Sequence, residues 1–208
     1  MPTTLVIDSA TEACSVAMFS GAELVDGAWE RLGRGHAERL VPMIAALDGR
    51  GRADRIAISL GPGSFTGVRV GLAAARALAL AWGAEIAGFS TFALLAAQAR
   101  GQVGDVPLTV AMTGGHGEWF VQSFGDGGDR AGDLASLRPD AAALAAPHEW
   151  VVGSQAEALV ALRGRGCALP LLPDARAFAL LDPRHLTAAT APLYGRPPDA
   201  RLPGESPR

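Results

Sequence analysis

The chain has 208 residues, of which 49% are hydrophobic and 19% are charged, and its formal net charge is −3. This composition predicts a folded globular protein and excludes a disordered one. All 18 basic residues are arginine. Without lysine the chain cannot form a Walker A phosphate loop or a Schiff-base catalytic site. The negative net charge and the lack of a basic run do not match an autonomous nucleic-acid-binding protein.

Targeting patterns and cysteines give expectations about location. Glycine, arginine or aspartate interrupts each apolar run, so we expect no membrane-spanning segment. The first residues lead directly into a strand pattern, so we expect no signal peptide. The two cysteines, Cys14 and Cys167, are too few for a disulfide framework. We therefore predict two buried thiols in a reducing, cytoplasmic environment.

The first fifty residues have strand patterns followed by a helix pattern. Apolar alternation predicts strands over 4–8, 15–20 and 23–30, with Gly21 as the turn of a hairpin between the last two. A helix is expected over 36–47. Its apolar stripe at i, i+3, i+4 and i+7 spacing is Leu40, Met43, Ile44 and Leu47, and Pro42 should kink the helix or shift its start.

The next fifty residues alternate between strand and helix. The patterns predict a strand over 55–60, a helix over 66–82, a strand over 85–89 and a helix over 91–99. The first part of the chain therefore has the order βββαβαβ. Periodicity alone indicates an α/β fold with a mixed sheet.

A polar, glycine-containing stretch at 100–107 indicates a boundary between two lobes. We predict an N-terminal lobe over 1–101 and a smaller C-terminal lobe with a Pro- and Arg-rich tail over 102–208. The second lobe should restart with a hairpin. The predicted elements of this lobe are strands over 108–112 and 119–124, a strand near Trp150 and a helix over 155–163.

The most informative segment is 59–71, which reads Ser-Leu-Gly-Pro-Gly-Ser-Phe-Thr-Gly-Val-Arg-Val-Gly. We call this segment the signature and its Gly-Pro-Gly residues, 61–63, the signature turn. A strand leads into a Gly-Pro-Gly turn and then into a helix whose first turn Ser64 or Thr66 can cap. The free amides at such a helix start can bind an anion. The candidate contacts for a weak nucleotide or anion site are Asp8, Ser9, Gly61, Gly63, Ser64 and Thr66.

Each part of that candidate site has a second interpretation. Asp8 ends the first strand, and we favour the interpretation that it caps its own turn through its side chain. The signature turn can simply direct the helix behind it. That helix is apolar on nearly every side, so it needs a second domain or a partner chain to cover it, and we favour an interface over a phosphate site. The interface candidates on this helix are Val68, Arg69, Leu72, Ala75, Arg76 and Ala79.

Two kinds of catalytic site are not expected. The four histidines lack metal-ligand spacing, so we predict no catalytic metal. Ser64 stands one residue too early in Gly63-Ser-Phe-Thr-Gly67 for the G-x-S-x-G nucleophile elbow. A hydrolase triad is therefore not predicted.

The signature closely resembles the GPGSFTGVRVG motif of the bacterial TsaB (YeaZ) family. Other segments match as well: 6–9 and 15–17 resemble the opening strands of the family, and 36–42, His-Ala-Glu-Arg-Leu-Val-Pro, resembles a helix start. Residues 191–197 resemble its C-terminal P-x-Y-x-R segment. The motif Asp-Ala-Arg-x-Gly-Glu is replaced by Thr-Gly-Gly-His-Gly-Glu at 113–118, which puts any role of its Asp and Arg in doubt.

The resemblance implies a two-lobed actin-like ATPase fold of the acetate and sugar kinase, Hsp70 and actin superfamily, with a reduced second lobe. It implies a non-catalytic subunit that pairs with the catalytic paralogue TsaD and supports binding of the small ATPase TsaE. The complex transfers a threonylcarbamoyl group to N6 of adenosine 37 in tRNAs reading ANN codons. By the same resemblance tRNA is bound only through the complex, without a membrane, and ATP or ADP is expected, if anywhere, at the complex interface.

The resemblance also bears on His36. The catalytic paralogue has a His-x-x-x-His pair on the corresponding helix, whereas this chain has His36 followed by Leu40 at i+4. One histidine cannot form that metal site. We expect the helices over 36–47 and 66–82 to form a bundle with the partner, and the added interface candidates are His36, Leu40 and Ile44. The alternatives are a stand-alone ATP-binding kinase or ATPase of the same superfamily, and a homodimer through the same helices.

Overall fold

The computed structural model of the chain describes residues 1–196. Its first five strands form one mixed sheet in the order β3-β2-β1-β4-β5. Strands β1 to β3 are an antiparallel meander, and β4 and β5 extend the sheet in parallel. The strands are β1 (Thr3–Asp8), β2 (Ala13–Ser20), β3 (Glu23–Arg31), β4 (Arg55–Ser59) and β5 (Glu85–Phe89).

Helices α1 (His36–Ala46) and α2 (Phe65–Trp82) cover one face of this sheet. The predicted order βββαβαβ is confirmed, as is the Gly21 hairpin. Alternation along β1 explains the layering, because Leu5 and Ile7 pack under α1 and α2 whereas Val6 faces the opposite side. Pro42 lies inside α1 without ending the helix.

The second sheet has the order β10-β9-β6-β7-β8. Strands β6 to β8 are again an antiparallel meander, and β9 and β10 again add in parallel, so the two sheets have the same topology. The strands are β6 (Leu108–Gly115), β7 (Glu118–Phe124), β8 (Ala135–Leu137), β9 (Trp150–Val152) and β10 (Cys167–Leu169). The helices of this lobe are α4 (Pro139–Ala145) and α5 (Ala156–Arg163), which are shorter than α1 and α2.

Helix α3 (Thr91–Val103) lies between the two sheets, and its buried side chains share one apolar cluster with residues of both. A 3-10 helix at Ala175–Leu180, which follows the last strand, packs back onto the first sheet. The segments that follow the two sheets, α3 and this 3-10 helix, thus pack in the same apolar cluster. The lobe boundary after residue 101 falls in the last turn of α3 and stays a prediction.

Helix α2 meets the length and composition criteria for a membrane-crossing helix. The expectation that glycine, arginine or aspartate interrupts each apolar run is therefore wrong for α2, which stays apolar enough despite Arg69 and Arg76. Core helices of soluble proteins meet the same criteria, and the buried side of α2 packs onto the first sheet.

The two cysteines differ in their environments. Cys14 is buried in β2, and burial, with a smaller contribution from Asp8, raises the pKa of its thiol to about 12. Cys167 is exposed in β10, so the prediction of two buried thiols is wrong for this residue. The edge position of β10 explains the exposure, since that strand has a neighbour on one side only.

Candidate docking face and interlobe cleft

The signature turn packs backbone against backbone onto the turn after β1. The amide of Ser64 donates to the carbonyl oxygen of Ala10 at 2.6 Å. A Cβ atom added at Gly63 would stand 1.9 Å from that same oxygen. Ser64 also caps α2, because its hydroxyl accepts from the amide of Gly67. The Ser64 amide is therefore already used by the chain itself.

Two further signature glycines serve the same close approach. A Cβ at Gly67 would lie 2.1 Å from the carbonyl oxygen of Ser9, and one at Gly71 would lie 2.4 Å from its hydroxyl oxygen. That hydroxyl donates to the carbonyl oxygen of Gly67 at 2.9 Å. The small residues of the signature thus allow α2 to lie directly on the turn after β1.

Asp8 is completely buried at the end of β1. Its Oδ1 accepts from the amide of Ala10 at 3.0 Å, as expected for an aspartate that caps its own turn. Its Oδ2 has no hydrogen-bond partner among the described residues. Burial raises the pKa of this carboxyl to about 6, against the opposing effect of the Ala10 amide and of the hydroxyls of Ser59 and Thr91.

A cleft of about 680 Å³ lies between the two sheets. Of the six residues predicted to contact an anion, Gly63 and Ser64 line it. Thr66 is exposed on α2, whereas Asp8, Ser9 and Gly61 are buried within the fold and do not line it. The cleft is also lined by Thr11, Glu12, Phe65, Thr113, His116, Phe120 and Tyr194.

The second-lobe motif at 113–118 divides between the cleft and the sheet. Thr113 and His116 line the cleft, and the Thr113 amide donates to the hydroxyl of Ser154. Glu118 instead accepts from the hydroxyl of Ser136 at 2.6 Å within the second sheet. The glutamate retained from the family motif thus has a structural partner in its own lobe.

Most of the predicted interface residues belong to the core of this chain. They are at most 9% exposed and pack between the helices and the first sheet, so their assignment to a partner surface is wrong. The residues concerned are His36, Leu40, Ile44, Val68, Leu72, Ala75 and Ala79. Helix α2 is apolar on nearly every side, and composition alone cannot tell which side faces the sheet.

The opposite sides of the same helices are exposed and mostly apolar, with Glu38 of α1 as an exposed charged residue on that side. On α1 this surface includes Val41, which is 56% exposed, and Ala45; on α2 it includes Ala73, Ala77 and Leu80, which is 88% exposed. We call these five residues the outer helix face. Helices α1 and α2 pack against each other, so the α1 residues and the α2 residues of the outer helix face lie on adjacent helices.

Arg69 and Arg76 are exposed as predicted, but they bind a segment of their own chain. The Nη2 of Arg76 donates to the carbonyl oxygen of Thr190 at 2.8 Å, and that of Arg69 donates to the Tyr194 hydroxyl at 3.3 Å. The guanidinium carbon of Arg69 also lies 3.5 Å from the ring centre of Phe65. Sequence reasoning missed these contacts because Thr190 and Tyr194 are more than a hundred residues away in a segment without periodicity.

His36 begins α1 and is buried there. Its Nε2 lies 3.3 Å from the carbonyl oxygen of Ala13, and the i+4 residue Leu40 is fully buried in the core. Within residues 1–196, no group of three or more His, Cys, Asp or Glu side chains is placed to hold a metal ion. His36 thus has a structural partner in β2.

Comparison with known proteins relates the chain to one group. The family model described as "TsaD: tRNA N6-adenosine threonylcarbamoyltransferase" matches residues 30–160. The chain is 37% identical to the Escherichia coli tRNA threonylcarbamoyladenosine biosynthesis protein TsaB over 125 residues. That alignment covers 58% of this chain and 54% of the relative, so the chain spans about half the length of that relative.

Two solved structures extend the match to the whole fold. YeaZ from Pseudomonas aeruginosa is 31% identical with a TM-score of 0.73, over 86% of this chain and 90% of that one. The ethanolamine utilization protein EutJ from Carboxydothermus hydrogenoformans is 12% identical with a TM-score of 0.50, over 88% and 90% of the two chains, and shows the fold alone. The fold is the two-lobed actin-like ATPase fold that the signature implies. The sequence and the structure of the chain together place it in the TsaB (YeaZ) family.

Proposed function

We propose that this chain is a non-catalytic subunit of the complex that transfers a threonylcarbamoyl group to N6 of adenosine 37 in tRNAs reading ANN codons. It pairs with the catalytic paralogue TsaD, supports binding of TsaE, and meets tRNA only through the complex, in the cytoplasm. The relatives named TsaB support a role in tRNA threonylcarbamoyladenosine biosynthesis. The outer helix face is the observation that supports the pairing with TsaD.

The outer helix face has the properties of an uncovered interface. Leu80 is 88% exposed and Val41 is 56% exposed. The three alanines of the outer helix face allow a facing helix to approach closely. The match to the TsaD family model includes both α1 and α2. A paralogue of the same fold therefore carries equivalent helices, and the two helix pairs can pack as a bundle.

Two local features support a role without catalysis. The Ser64 amide at the start of α2 is bound to the Ala10 carbonyl oxygen, so the signature loop offers an anion one donor fewer than a phosphate loop would. His36 has no second histidine at i+4, because that position is Leu40 in the core. These features argue against an anion site at the signature and against the metal site of the paralogue.

The test compares two nearly fully exposed leucines. Leu80 lies on α2, and Leu144, which is 90% exposed, lies on the corresponding helix pair of the second lobe. We expect Leu80→Glu to abolish co-purification with TsaD and to abolish modification in a reconstituted assay with tRNA and TsaE. Leu144→Glu is the matched control and should behave as wild type. A complex that survives Leu80→Glu would contradict the pairing through this face.

The cleft of about 680 Å³ favours a second candidate, a stand-alone ATP-binding kinase or ATPase. Titration calorimetry of ATP with Mg²⁺ into the isolated chain separates the two functions. A dissociation constant below about 10 μM, equivalent to roughly −7 kcal/mol, would favour this candidate over the scaffold. Light scattering with and without TsaD shows whether the isolated chain is a homodimer.

A further inference from the structure

The last described residues form a strap across the first lobe. We call residues 187–196 the C-terminal strap. It begins on the edge strand β5, where Thr187 and Gly88 exchange backbone hydrogen bonds of 2.9 and 2.7 Å. Further along, the amide of Leu193 donates to the carbonyl oxygen of Leu60, just after β4, at 2.7 Å. The main chain of the strap is thus fixed to two neighbouring strands of the sheet.

From this anchored position the strap binds one edge of α2. Phe65, Arg69 and Arg76 follow each other at i, i+4 and i+11, so they lie along one side of the helix. Arg76 donates to the carbonyl oxygen of Thr190 at 2.8 Å. The rings of Phe65 and Tyr194 have their centres 5.4 Å apart, and Arg69 reaches the Tyr194 hydroxyl.

Two positions on the inner side of α2, both in its first half, have no side chain. Gly67 and Gly71 lie there against Ser9, where glycine is required by the close approach. The core packing of this half of the helix comes from Val68 and Leu72, and contacts on the outer edge add to it. The strap supplies such contacts, and it leaves Ala73, Ala77 and Leu80 of the outer helix face open.

We propose that the C-terminal strap holds α2 in the position at which the outer helix face docks onto its partner, and that Tyr194 is a positioning residue for this docking. The inference rests on the proposed pairing with TsaD. Tyr194 acts through Phe65 and Arg69, while the bond from Arg76 to the Thr190 carbonyl holds the middle of the helix.

The test uses full-length variants and titration of TsaD. We expect Tyr194→Ala to weaken the affinity about tenfold, because the free energy needed to bring α2 into the docking position is then taken from the binding free energy. Tyr194→Phe keeps the ring pair and loses only the long contact to Arg69, so its affinity should stay within about twofold of wild type. Arg76→Met keeps the length of the side chain, loses the donor and should weaken binding in the same direction as Tyr194→Ala.

Hydrogen exchange separates positioning from general stability. The amides of residues 65–76 should exchange faster in Tyr194→Ala, whereas those of α3 should keep their protection. Wild-type affinity in both Tyr194→Ala and Arg76→Met, with Leu80→Glu unable to bind, would overturn the role of the strap and leave the docking face standing. Wild-type affinity in Leu80→Glu would show instead that the outer helix face does not bind TsaD, and this would also refute the positioning role of the strap.

Discussion

The amide of Ser64 and the carbonyl oxygen of Ala10 are 2.6 Å apart, and this hydrogen bond joins the signature turn to the turn after β1. Both groups belong to the backbone, so the contact requires the two turns to touch without side chains between them. Gly63 meets that requirement, because a Cβ there would overlap the Ala10 oxygen. The signature glycines are thus explained by packing.

Gly63→Ala should destabilise the fold. The added Cβ would stand 1.9 Å from the Ala10 oxygen, and a backbone atom cannot move aside as a flexible side chain can. We expect a loss of at least about 3 kcal/mol in the free energy of unfolding, measured by urea denaturation. Gly132→Ala is the control, since nothing lies within 4 Å of its added Cβ. A loss at Gly63 as small as that at Gly132 would refute the packing explanation.

The orientation of α2 can be tested at two adjacent residues. Leu72 is 3% exposed and packs in the core, whereas Ala73 is exposed. Leu72→Glu buries an unpaired carboxylate and should cost more than about 4 kcal/mol, enough to unfold a marginally stable domain. Ala73→Glu should leave the melting temperature nearly unchanged and affect only the partner interaction. Equal melting temperatures for the two variants would mean that the helix faces another way.

Asp8 should make stability depend on pH. The pKa of its carboxyl is raised from 3.8 in the unfolded chain to about 6 in the folded one, so the folded state binds the proton more tightly. Below pH 3.8 Asp8 is protonated in both states and does not lower the free energy of unfolding. As the pH rises from 3.8 to about 6, the free energy of unfolding falls, and the total loss is about 3 kcal/mol.

Asp8→Asn removes that charge and should flatten the pH dependence of the free energy of unfolding over this range. At pH 8 the variant should be more stable than wild type, because the amide nitrogen can donate to the hydroxyl oxygens of Ser59 and Thr91 beside it. Asp133→Asn, at an exposed position, changes the net charge equally and serves as the control. A slope that persists in Asp8→Asn would assign the pH dependence to other groups.

The thiols should react in two stages. Cys167 is exposed and should react with a disulfide reagent in the native protein. Cys14 is buried with its pKa raised to about 12, so it should react only after unfolding. A colorimetric titration should give one thiol in buffer and two in guanidinium chloride, and none in buffer for Cys167→Ser. Two reactive thiols in buffer would contradict the burial of Cys14.

Local sequence determines much of the first lobe. The periodicities give the order βββαβαβ, Gly21 gives the hairpin, and Ser64 with its glycines gives a capped helix after a tight turn, because each depends on neighbouring residues alone. The signature also identifies the family. The three-residue strands β8 and β10 and the seven-residue α4 were missed because so few residues cannot display a period, whereas β9, which is equally short, was predicted from its apolar residues.

Only the tertiary structure decided which residues of α2 face outward. Its sequence is apolar on nearly all sides, so the contact with the sheet selects Leu72 and Ala75 for the core and leaves Ala73, Ala77 and Leu80 outside. Likewise, the sequence determined that Arg69 and Arg76 are exposed cations. The fold alone brings the C-terminal strap beside them, because contacts between residues more than a hundred positions apart arise from chain topology and leave no local pattern.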